Sequence, residues 1–146
     1  MKTHYIEKGL FIIRLWHQDL ISHLPSVKDH KDCTNQLGGQ HTEIRMILGS
    51  IAKHGKVNHA TVNYVNKYSV SHLRAYGLLI IDEMIKRGFN VSQDIIDEYV
   101  NDVEALELYD EAKDSNKLIY REHDAYYMME CLENLKGKGI DLLQAV

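Results

Sequence analysis

Two short stretches concentrate the side chains able to do chemistry. The first, "QLGGQHTEIRMIL" at 36–48, sets His41 and Glu43 two residues apart among small and apolar neighbours. The second, "HATVNYV" at 59–65, sets His59 beside Thr61 and Asn63, which could equally face a ligand or cap a helix. An imidazole and a carboxylate can exchange protons with a substrate, stabilise a developing positive charge or hold a metal. His17, His23, His41 and His59 contain no i, i+4 pair that would put two ligands on one helical face, so no metal site is expected. A Gly-rich phosphate loop, a G-x-S-x-G elbow and paired-cysteine zinc spacing are all lacking, and no cofactor is expected. His41 and Glu43 at i and i+2 fall on different helical faces, although a helix beginning near Gly39 would hold both in its first turn. There Glu43 could do no more than complement the helix dipole, and His41 could be a satisfied structural histidine.

The elements that must position these groups read as helices. In "SVSHLRAYGLLIIDEMIKRG", Leu73, Tyr76, Ile80 and Met84 form one stripe, with Ser69 or Ser71 as N-cap, Lys86 and Arg87 in the last turn, and Gly88 as the stop. Further helices are expected over 39–54, over 92–112 after Ser92, and over 122–136 before "KGKG". Pro25 ends the short "WHQDLISHL" segment, and 26–36 reads as a polar connection. Period-2 alternation is scarce, so the expected fold is an all-α, compact single-domain helical bundle.

The whole composition agrees with one soluble domain. At 146 residues, 45% hydrophobic and 26% charged, the chain can bury a single core. Its longest apolar runs, "GLFII" and "GLLII", are far shorter than the roughly 20 residues of a membrane span. The first residues do not read as a secretory signal, so a cytoplasmic protein with reduced Cys33 and Cys131 is expected. The net charge of −4 hides a polarity: residues 1–90 hold twelve Lys and Arg against seven Asp and Glu, while residues 91–146 hold five against fourteen. Eight of nine histidines lie in the positive part, so a basic face toward phosphate is compatible with the acidic average. "DIIDEYVNDVEALELYDEAKD" reads as a solvated acidic helical face.

"IRLWHQDLISHLP", "LGGQHTEI", "HATVNYV", "MIKRGFNV" and "IYREHDAYYMMECLENLKGKGI", in that order over about 13–140, resemble the pyrimidine dimer DNA glycosylase family of the phage endonuclease V type, closest to its bacterial relatives. The order and spacing of the five blocks carry the resemblance. It implies a small all-helical DNA repair glycosylase/AP lyase whose partner is duplex DNA with a damaged base or an abasic site. "LGGQHTEI" is similar to the block that ends in the family's catalytic glutamate, which falls on Glu43. An amine, in the family the chain's own α-amino group, attacks the sugar C1′ to form a Schiff base, and strand cleavage follows by β-elimination. An α-amino group suits this, because its ordinary pKa near 7.7–8.0 leaves it far more often neutral at pH 7 than a lysine at about 10.4.

The resemblance further implies Arg14 as an active-site cation, against a surface charge beside Trp16, and His41 as a group that orients Glu43 or contacts phosphate. The candidate DNA contacts are Arg45, Lys53, Lys56, His59, Lys86 and Arg87, with Arg121 a lesser candidate. Trp16 and Tyr64 are either core residues or base-stacking platforms. The family's chains begin near the position of Ile13, so residues 1–12 read as an N-terminal extension to a domain of 13–146. The amine is then that of Ile13 if the mature chain starts there, the Met1 amine folded back, or a lysine such as Lys2 or Lys8. The alternative is an inert module of the same fold that binds nucleic acid or protein. Two further departures are Thr42, where the family carries arginine, and an end, "KGKGIDLLQAV", without the phage enzymes' aromatic basic tail.

Overall fold

Asn35 starts the first long helix, its side chain accepting the Gly38 N–H at 3.2 Å, and Gly55 stops it in the left-handed conformation at φ 81°. That helix, α1, spans Gln36–His54, three residues earlier at its start than the sequence suggests, because the Asn35 cap outcompetes Gly39 as a beginning. The computed structural model describes residues 13–29 and 34–143; the 1–12 extension and Cys33 lie outside them. The other helices are α2 (Val70–Lys86), α3 (Gln93–Val100), α4 (Val103–Ser115) and α5 (Ala125–Gly137), with 3-10 helices at Gln18–His23 and Ala60–Lys67. No strand occurs among the described residues, and the fold is all-α and compact. No helix of the described residues is long and apolar enough to cross a membrane.

Helix α2 is the centre of the bundle. It buries residues all round its axis, Leu73, Ala75, Tyr76, Leu78, Ile80, Ile81 and Met84 among them, and packs against α1, α3, α4 and both 3-10 helices. Ser69 occupies the N-cap position, but its hydroxyl bonds Glu104 and His72 instead of the helix end. Arg87 and Gly88 close the helix as expected, with Gly88 at φ 93°.

Three expectations are corrected. The single helix over 92–112 is two, broken at Asn101 and Asp102, because the Asp102 carboxylate accepts the Ala105 N–H to start α4 while also taking the Ser71 hydroxyl and the Arg74 guanidinium. The last helix begins at Ala125, capped by Asp124, so that "YREHD" is a turn carrying buried Tyr120 and His123 and not the polar start of the helix. The acidic segment is not a wholly solvated face, since Tyr99 and Ala105 are fully buried and Ala112 nearly so.

The least regular part of the core is the most constrained. Residues 13–17 run extended through the bundle and all five are buried. An extended segment without a neighbouring strand leaves its peptide groups to be satisfied by side chains. Thr61 donates to the Ile13 carbonyl, Tyr127 to that of Leu15 at 2.5 Å, and Tyr76 to that of Trp16 at 2.5 Å. The Gln40 amide takes the Trp16 N–H and gives to the Arg14 carbonyl, each at 2.7 Å. Cys131, buried and free, packs in the same region.

At Gly77 α2 and α3 approach closely: a Cβ there would lie 2.8 Å from the ring of fully buried Tyr99. Gly77→Ala is expected to lower stability by about 1–3 kcal/mol, read as a reduced denaturant midpoint with an unchanged slope.

Candidate active site

Gln40 lies on the buried stripe of α1 between Leu37 and Ile44, only 1% exposed, where an apolar residue would be the ordinary choice. Besides its two bonds to the extended segment, its oxygen accepts the Tyr76 hydroxyl at 2.9 Å and its nitrogen donates to Glu43 Oε1 at 3.1 Å. One amide thus joins α1, α2 and the 13–17 segment, and aims the Glu43 carboxyl.

Glu43 stands about two turns into α1, not in its first turn, so the helix dipole offers it little and that bland role loses its ground. It lines a cleft of about 530 Å³ with Arg14 and Trp16 from the extended segment, Gln40 from α1, and Glu133, Asn134, Gly137 and Lys138 at the end of α5. Burial pushes its carboxyl up to about 7, opposed in part by the Arg14 backbone amide and by the charges of Lys138 and Arg14. At neutral pH the group is therefore shared between acid and carboxylate, the condition under which one side chain can both give and take a proton.

Arg14 is buried rather than a surface charge. Its guanidinium donates to Glu130 Oε2 at 2.6 Å and lies 6.0 and 5.8 Å from the ring centroids of Trp16 and Tyr127. Beneath it, His123 accepts the Gln18 N–H on Nδ1 at 3.1 Å, faces the Tyr64 hydroxyl with Nε2 at 2.8 Å and stacks on Tyr127. Burial drives the His123 pKa down to about 3, with His17 adding to the effect, so the ring is neutral and carries its proton on Nε2. Trp16 is core and cleft wall at once, and half-buried Tyr64 belongs to the support beneath the cleft.

The remaining residues singled out by sequence do not gather there. His41 does not line the cleft; it is half-buried, its Nδ1 lacks a partner, and burial and then Arg45 lower its pKa. Arg45 grips Glu98 with both terminal nitrogens, at 2.7 and 3.3 Å, and lies over the Tyr99 ring. Lys53, Lys56 and His59 are exposed around the end of α1. Lys86 and Arg87 lie at the C-terminal end of α2, about 15 Å along the helix from Tyr76, and Arg87 is bonded to Glu83, Asp29 and the carbonyls of Leu24 and Ser22. Ile13 is buried one residue from Arg14. No group of three or more potential metal ligands occurs among the described residues.

Gln40 and Lys138 were not singled out in the sequence. A polar residue at the spacing of Leu37, Ile44 and Ile47 was a usable signal for Gln40; Lys138 in "KGKG" had none. The family model for pyrimidine dimer DNA glycosylase matches residues 13–97, more than half of the chain, and so includes Arg14, Gln40 and Glu43 but not α5. No curated protein and no solved structure matches the chain.

The elevated Glu43 pKa has a consequence for stability. An acid whose folded pKa lies above its unfolded one binds protons more tightly when folded, so its contribution is favourable at low pH and is lost as pH rises from about 4.5 through about 7. Glu43→Gln is expected to be more stable than the parent above pH 7, by up to about 3 kcal/mol, with the difference shrinking below pH 5. Denaturant titrations of both proteins across pH 4.5–8 measure it; a loss of about 0.3–1 kcal/mol in the variant would instead mark a helix-dipole role.

Proposed function

From the chain's membership of the pyrimidine dimer DNA glycosylase family, we propose that it is a DNA glycosylase/AP lyase acting on damaged duplex DNA, at pyrimidine dimers or abasic sites, through an amine Schiff base. The observation that carries this reading is the Glu43 carboxyl, half-buried in a cleft that two cations, Arg14 and Lys138, also line. A cleft of about 530 Å³ can admit an extruded sugar and part of a base. The Glu43 carboxylate stabilises the positive charge that develops on the sugar as the base departs, and in its acid form it returns a proton. Arg14 and Lys138 suit the phosphates that flank the extruded nucleotide. Exposed Lys53 and Lys56 add positive charge at the end of α1, and His59 is exposed nearby as a further contact for the duplex.

The amine is the step the cleft leaves open. In a chain starting at Ile13 it is the α-amino group beside Arg14; in the 146-residue chain that nitrogen is an amide without nucleophilic character. The presence of residues before Ile13 and of Thr42 favours the second reading, an inert DNA- or protein-binding module.

Single-turnover excision from dimer-containing or abasic duplex separates the two. Glu43→Gln should lower the rate by about 10² or more while DNA binding persists or tightens, since a negative charge facing phosphate has gone. The parent rate should follow an ionisation near pH 7 that the variant lacks. Excision that the substitution leaves unchanged would remove Glu43 from the chemistry, and its absence in both proteins would leave the inert module.

DNA affinity should also fall steeply between about 50 and 200 mM salt, because phosphate contacts release counterions. Affinity that stays flat over this range would count against a DNA partner.

A further inference from the structure

We propose that Lys138 supplies the catalytic amine in the 146-residue chain, forming the Schiff base with the sugar C1′ of an abasic site held against Glu43. The inference rests on the lyase reading of the cleft given above and names the group that reading leaves open. Imine formation needs a primary amine, and Lys138 is the only lysine among the described residues that line the cleft. Glu43 lines the same cleft, and the Lys138 charge is felt there. It caps the C-terminus of α5 between Gly137 and Gly139, the latter at φ 87°, so the chain turns away there and leaves the side chain exposed at the mouth. Four methylenes give the amine the reach to follow a sugar into the cleft. Lys138 also lies outside the family-matched residues 13–97, so the family match does not assign it this role.

The chemistry balances without a further reagent. The Glu43 carboxylate takes the proton that the Lys138 ammonium must shed, and the neutral amine adds to the C1′ aldehyde. Loss of water gives the iminium. The protonated Glu43 carboxyl gives its proton to the departing hydroxyl as the iminium forms, and the carboxylate so regenerated takes the C2′ proton; the C3′–O bond then breaks with its electron pair leaving on the phosphate, and water hydrolyses the unsaturated imine to release Lys138 unchanged.

The 146-residue protein, incubated with duplex DNA containing one abasic site and reduced with borohydride, should give a covalent adduct that peptide mass mapping places on Lys138. Lys138→Arg keeps the positive charge but cannot form the imine, and should lower the trapped adduct by at least about tenfold with an unchanged melting temperature. An adduct on the α-amino group, Lys2 or Lys8, or one undiminished in Lys138→Arg, would overturn the assignment and leave the lyase reading standing. If no amine is trapped, both fall.

Discussion

The structure depends on the satisfaction of one buried, unpaired stretch of backbone. Residues 13–17 cross the bundle as an extended chain with no strand beside them, and each peptide group left bare there would cost about 1–3 kcal/mol. Thr61, Gln40, Tyr76 and Tyr127 meet that demand from four different elements, and His123 takes the N–H of Gln18 just beyond. The identities of these five residues are consequently tied to a path rather than to a helix. The alternation of an extended chain does the rest: Arg14 and Trp16 line the cleft, while Leu15 enters the core and His17 packs beside His123.

Glu43 inherits its chemistry from the same arrangement. The Gln40 amide that holds the extended segment also holds the carboxyl, and it does so in a place where burial outweighs the nearby cations. Arg14, the cation that could have formed a tight pair with Glu43, is instead engaged by Glu130. A direct ion pair would lower the carboxyl pKa and fix it as an anion. Keeping the pair apart costs stability at neutral pH and leaves a proton free to move, a common exchange at sites that do acid–base work.

Charge is redistributed by folding. The basic first part of the chain and the acidic second part read as separate faces, yet Arg14, Arg45, Lys67 and Arg74 find Glu130, Glu98, Glu122 and Asp102. The pairs that tie α1 and α2 to α3 and to the start of α4 neutralise cations that the linear count leaves available for DNA. The exposed cations that remain include Lys53 in the last turn of α1, Lys56 just beyond it and Lys138 at the end of α5. An electrostatic footprint is therefore a property of the folded surface and not of a stretch of sequence.

What the sequence determined by itself is local. The apolar stripe of α2, its Gly88 stop, and the scarcity of alternation fix an all-helical bundle, because helix formation and termination depend on residues within a few positions of one another. The ordered blocks that resemble the family also picked out Arg14 and Glu43, which the fold brings to one cleft. Only the tertiary structure decided that Asp102 would split the acidic helix, since its competing partners Ser71 and Arg74 are about thirty residues away. It likewise turned His41 and Arg45 away from the cleft and brought Lys138 into it. Sequence spacing records which residues share a helix face; which face meets the cleft is set by how α1, α5 and the extended segment pack, through contacts up to 116 residues apart.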